Sequence, residues 1–107
     1  MKVTGFLSEI TEVESGRTLG GKTWKKQNII VKNEEYHNQP ISFPIFGDKI
    51  EHIALAMDSK VTVDFEIVSA LSRGKWYNNI KVFSVYVHLN EDMGVDYFLA
   101  KRPEVIL

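Results

Sequence analysis

The sequence predicts an all-β domain with one short helix after the third strand. Three observations carry this. Apolar residues alternate with polar ones over several stretches, most cleanly where Val61, Val63, Phe65 and Ile67 interleave with Thr62, Asp64 and Glu66. That period of two is the mark of a half-buried strand. Turn residues punctuate these stretches at Ser15-Gly16, Gly20-Gly21 and Arg73-Gly74. The period changes once, over Lys49–Met57, where Ile50, Ile53, Ala54 and Met57 recur at helical spacing.

The first strand runs over Val3–Val13. Gly5 within it points to a bulge or a sharp bend. Glu14 to Lys22, with its glycines, reads as a flexible loop. Trp24–Lys32 is the second strand, ending in the β-branched run Ile29-Ile30-Val31. Asn33 to Gln39 is polar and reads as a turn. Ile41–Phe46 is the third strand, with Ile41, Phe43 and Ile45 on one face. Pro40 and Pro44 lack an N–H, so this strand is expected at an edge or paired on one side only. Asp48 is a candidate N-cap for the helix that follows. Lys60–Leu71 is the fourth strand, Ser72–Lys75 a tight loop, and Trp76–Leu89 the fifth strand. Residues 90–107 form a tail, with room for one short element between Val95 and Ala100.

The order β-β-β-α-β-β is that of the OB-fold, a five-stranded, partly open Greek-key barrel. We therefore expect an OB-fold domain over residues 1–89. Residues 90–107 form a C-terminal tail that is a candidate segment for self-association. A length of 107 residues fits one domain with its own core. The chain has no cysteine, which fits a reducing cytoplasm, and no apolar run of membrane-spanning length.

The net charge of −1 conceals a polarised chain. Residues 16–33 hold Arg17, Lys22, Lys25, Lys26 and Lys32 with Trp24, and no acid. Residues 69–90 hold Arg73, Lys75 and Lys81 with Trp76, Tyr77, Phe83 and Tyr86, again with no acid. Eight of the 13 basic residues thus lie apart from all 14 acids. Cations interleaved with flat rings suit a single-stranded nucleic acid: the cations meet phosphates and the rings meet bases. On an OB-fold these stretches become the two loops, and adjoining strands, that flank the oligonucleotide face. They are expected to frame one groove.

The stacking candidates are Trp24, Phe46, Trp76 and Tyr77, with Tyr36 a weaker one. The phosphate candidates are Arg17, Lys22, Lys25, Lys26, Arg73 and Lys75. Asn78 and Asn79 are placed to meet base edges. Strand parity limits this set. Neighbours point to opposite faces, so Lys25 and Lys26 part company, and Trp76 and Tyr77 are not both expected to be exposed without a bulge. Trp76 shares its parity with Ile80, and Tyr77 shares its own with Phe83. Phe43 and Phe65 alternate with aliphatic residues and read as core.

The segments Trp24-Lys25-Lys26-Gln27, Phe46-Gly47-Asp48-Lys49-Ile50 and Gly74-Lys75-Trp76-Tyr77-Asn78-Asn79-Ile80 resemble a family of small bacterial and phage proteins. That family is a domain of unknown function, regarded as OB-fold and similar to single-stranded DNA-binding proteins. The resemblance covers about residues 2–88. It implies the barrel and, through the similarity, a nucleic-acid partner. Bacterial single-stranded DNA-binding proteins often end in an acidic tail with a final Phe. This chain ends Arg102-Pro103-Glu104-Val105-Ile106-Leu107, so docking through such a tail is not implied.

No catalytic or cofactor-binding pattern is present. His37, His52 and His88 show no metal-ligand spacing, and no phosphate-binding glycine loop occurs. The expected partner is single-stranded DNA, with RNA the open alternative, bound by an assembly of copies, since one small groove covers few nucleotides. Two other readings use the same fold: a protein-interaction module, and an oligosaccharide binder that would need the aromatics but not the cations.

Overall fold

The computed structural model describes residues 1–33, 35, 37–47 and 58–99. The helix expected over Lys49–Met57, its Asp48 cap, Tyr36, His52 and the last eight residues of the expected tail lie outside these. The described residues form an all-β structure of seven strands in one sheet. They are β1 (Lys2–Ile10), β2 (Glu14–Arg17), β3 (Thr23–Asn33), β4 (Gln39–Phe46), β5 (Lys60–Ser72), β6 (Lys75–His88) and β7 (Gly94–Phe98). The order across the sheet is β2-β3-β1-β5-β6-β7, with β4 on the free side of β3 and all described pairs antiparallel. The sheet curls into a half-barrel, which brings β4 up to β6 although no ladder joins them among the described residues.

All five expected strands are present, and two short ones join them. Glu14–Arg17, expected as loop, is β2. It lies on the same edge of β3 as β1, so β1 and β2 act as one strand interrupted at residues 11–13. Thr11 keeps the interruption in register. Its N–H donates to the Asn28 carbonyl at 2.9 Å, and its hydroxyl accepts the Asn28 N–H at 3.0 Å. A side chain thus stands in for a ladder group, as Ser and Thr hydroxyls readily do. The short element expected in the tail between Val95 and Ala100 is a strand, β7 over Gly94–Phe98, which pairs with the end of β6.

The bend of β1 lies at Ser8, not at Gly5. The β1–β3 register shifts between Leu7 and Glu9, leaving Ser8 as the extra residue of a bulge. Gly5 has another cause: a Cβ there would collide with the Lys32 carbonyl, so only glycine permits β1 and β3 to come so close.

The core comes from one face of each long strand. Leu7, Ile29, Val31, Phe43, Val61, Val63 and Val85 are fully buried. Phe43 and Phe65 meet edge to face with centroids 5.0 Å apart, the arrangement that ring quadrupoles favour. Both are core, as their alternation indicated. A second bulge, in β6, sets Asp64 opposite Ser84 but Phe65 opposite Val82. The extra residue is Phe83, so the neighbours Val82 and Phe83 are both buried. Beyond this bulge the parity of β6 shifts.

The outer surface of β1, β5 and β6 carries a polar relay. The Thr4 and Thr62 hydroxyls lie 2.7 Å apart, and Thr62 reaches His88 Nε2 at 2.7 Å. His88 thus has a structural partner across the sheet. Among the described residues no group of His, Asp and Glu is gathered to hold a metal ion, and no helix is long and apolar enough to cross a membrane.

Candidate nucleic-acid interface

Two hairpins carry the basic, aromatic stretches. The first is β2–β3. Its turn is closed by Thr18, whose N–H donates to the Lys22 carbonyl at 2.8 Å and whose hydroxyl accepts the Lys22 N–H at 3.3 Å. The flexible loop expected over Glu14–Lys22 is therefore a short, bonded turn that holds Lys22 near its tip. The second hairpin is β5–β6, turned by Arg73 (φ 50°) and Gly74 (φ 77°). Two consecutive positive φ values in a two-residue loop make a type I′ turn, whose twist matches that of the strands.

On the first hairpin, Trp24 faces Gly16 across the ladder. A Cβ on Gly16 would stand 2.7 Å from the Trp24 ring, so the indole occupies the space that glycine leaves. This anchors one side of the ring and leaves Trp24 40% exposed. The next residues on that face are Lys26 and, paired with it on β4, Phe46, which is 59% exposed. Trp24, Lys26 and Phe46 therefore form one outward cluster, with Glu14 on the far side of Lys26. Asn28 ends the row, its amide donating to the Ser42 hydroxyl at 2.7 Å. Lys25 and Arg17 share the opposite face, paired with Ser15 and Thr23. A depression of about 370 Å³ is lined by Ser15, Gly16, Arg17, Thr23, Trp24 and Lys25.

The second hairpin departs from expectation. Trp76 and Tyr77 point to opposite faces, as parity requires, yet they are 71% and 51% exposed. Their pairing with Leu71 and Ala70 explains this. Past Phe65 and Val82, Ile80 is half-buried against the core, and beyond it the hairpin clears the barrel as an arm whose two faces meet solvent. No face must turn inward because there is no inside at that point. The shared parity of Tyr77 and Phe83 also carries no meaning, since the bulge at Phe83 intervenes.

One face of the arm gathers Lys75, Tyr77 and Asn79. Lys81 belongs with them and was missed as a site residue; it stands opposite Glu66, and its Nζ lies 5.8 Å from the Phe83 ring centroid. The other face holds Trp76, Asn78 and Ile80, with Asn78 accepting the Ser69 hydroxyl at 2.8 Å. Arg73 sits at the tip. The two hairpins leave from opposite ends of β1: β3 begins beyond its Ile10 end, and the arm runs on beyond its Lys2 end.

A family model described as Domain of unknown function (DUF3127) matches residues 2–86. The chain belongs to the DUF3127 family. That match spans β1 through most of β6, so both hairpins lie within the DUF3127 domain and β7 lies outside it. No curated protein and no solved structure matches the chain.

Proposed function

We propose that this DUF3127 chain is a non-catalytic module that binds single-stranded DNA with low sequence preference, as an assembly of copies in the cytoplasm. The observation that carries the reading is the exposure of four rings: Trp24, Trp76 and Tyr77 on hairpins rich in Lys and Arg, and Phe46 on β4 opposite Lys26. Rings that are exposed beside cations suit a single-stranded nucleic acid, because a base stacks on any such ring. Lys22, Lys26, Arg73 and Lys75 lie beside them for phosphates, with Arg17 and Lys25 on the reverse of the first hairpin. Asn79 stands beside Tyr77 to meet a base edge.

Strand order supports an OB-fold for the body. If β2 is counted as the continuation of β1, and β7 as an addition, five strands remain. β1 pairs with β3 and β5, β4 with β3, and β5 with β6, while β4 approaches β6 where an OB barrel would close. On that fold a strand of DNA runs across the outer face of β3 and β4 from one hairpin toward the other.

Titration with oligo-dT at low and moderate salt tests this. Stacking should quench tryptophan fluorescence, and affinity should fall with a log–log salt slope of about −0.7 per phosphate contacted. No quenching and no binding at low salt would sink it. A second reading, a protein-interaction module, is favoured by the apolar surface of the arm, where Ile67, Val68 and Leu71 are exposed beside the rings. A chain that self-associates strongly but ignores oligonucleotides would support that reading instead.

A further inference from the structure

The arm has two free edges among the described residues. β1 pairs with β5 only as far as Asp64, and β7 pairs with β6 only from Ser84 onward. The direction of the main-chain groups follows from Phe65. Its N–H donates to the Met1 carbonyl and its carbonyl accepts from the Met1 nitrogen, both at 2.8 Å, so these groups aim away from β6. Alternation along a strand sends those of Ile67, Ser69 and Leu71 the same way. The segment Ile67-Val68-Ser69-Ala70-Leu71 contains no charge, proline or glycine. Natural edge strands usually carry such residues to prevent pairing with another chain.

The side chains on this edge are arranged symmetrically about Ser69. A second copy laid antiparallel along it, with the two-fold axis at Ser69, sets Ser69 against Ser69. Each Ile67 then faces the second copy's Leu71, and each Val68 faces the second copy's Ala70. The outward N–H and C=O groups of Ile67, Ser69 and Leu71 meet their counterparts in this register. Rows form across four strands. Trp76 and Leu71 continue into the second copy's Ile67 and Ile80. Between the two apolar rows lies a polar one, in which each Asn78–Ser69 pair is already bonded. The β6 edge offers no such match: centred on Asn78, it would set Lys75 of one copy against Lys81 of the other, and like charges directly opposite are destabilising.

We propose that the chain dimerises through the β5 edge of its arm, about a two-fold axis at Ser69, giving a four-stranded sheet in the order β6-β5-β5-β6. This names a surface for the assembly of copies proposed above. It needs no nucleic acid, so its failure and the failure of oligonucleotide binding are separate results. Trp76 and Tyr77 stay on the open faces of the dimer sheet.

Sedimentation velocity of the full chain, with circular dichroism to check folding, tests the proposal. The native chain should sediment as a dimer. Ser69→Pro removes an outward N–H that β6 does not use, and Ile67→Lys places a charge at the seam. Each should weaken the dimer by about tenfold or more, a change of about 1.4 kcal/mol per decade. Because the chain has no cysteine, Ser69→Cys supplies a single thiol. Facing Cα atoms of a bonded antiparallel pair lie about 5.5 Å apart, within disulfide reach, so mild oxidation should crosslink two copies, while Asn78→Cys on the next strand should not. A native chain that remains monomeric at every concentration overturns the proposal. So does a dimer that survives both substitutions, or one crosslinked through Asn78→Cys instead of Ser69→Cys. If Ser69→Pro fails to fold, Ile67→Lys and the crosslink decide the matter.

Discussion

β5 and β6 share one ladder but live in two environments. From Lys60 to Phe65, β5 packs Val61, Val63 and Phe65 into the barrel. From Glu66 to Ser72 the same strand, with the same pairing partner, buries nothing, although Ile67, Val68 and Leu71 are as apolar as the residues before them. The change occurs just past the Phe83 bulge, after the buried pair Phe65 and Val82 and the half-buried Ile80, where the body ends and the arm begins. Apolar alternation therefore reports that a strand exists and which residues share a face. It does not report whether anything lies against that face.

The sharpest test of the body is Phe43→Ala. Phe43 is fully buried against Phe65, and its loss should cost about 3–5 kcal/mol in denaturant unfolding. A cost near zero would mean that the body is not the packed unit described here. Next is Trp76→Ala on the arm, expected to weaken oligo-dT binding by about 1–3 kcal/mol while leaving the unfolding midpoint in place. Equal loss of binding and of stability would show that the ring packs rather than stacks. Smaller again is Arg73→Asn. Arg73 holds a positive φ that asparagine adopts more easily, so thermal unfolding should show a gain of about 0.5–1 kcal/mol. The smallest effect is expected from Leu71→Ala. Measured at dilutions where the chain is monomeric, it should shift stability by less than about 0.5 kcal/mol, as for other surface positions. A core-sized loss there would mean that the arm is covered within the monomer.

The same contrast explains what the sequence revealed. Lys60–Leu71 and the β-branched end of β3 were legible because period two and β-branching act locally. β2 was not, and β7 only as the short element expected between Val95 and Ala100. Each contains a glycine, Gly16 or Gly94, which has no side chain to pack in a strand. In the fold each glycine lies under a ring from the neighbouring strand, Trp24 over Gly16 and Tyr86 over Gly94, which fills the missing side chain's place. That compensation joins residues distant in sequence, so no local pattern displays it. The exposure of both Trp76 and Tyr77 was hidden likewise, because parity assumes a barrel interior along the whole strand. Of the candidate site, the division of Lys25 from Lys26 and of Trp76 from Tyr77 between opposite faces follows from strand reasoning. Lys81 shares the parity of Tyr77 and Asn79, so the same strand reasoning also places it on their face.

The bulge at Phe83 also makes the arm a spacer whose length is separable from the core. A strand residue spans about 3.3 Å. Removing two facing pairs, such as Val68-Ser69 with Asn78-Asn79, would draw the tip in by about 7 Å and leave every remaining ring on its present face. Removing one pair would instead exchange the faces of Trp76 and Tyr77. Reach therefore changes in double steps, while Val61, Val63 and Val85 behind the bulge keep their places.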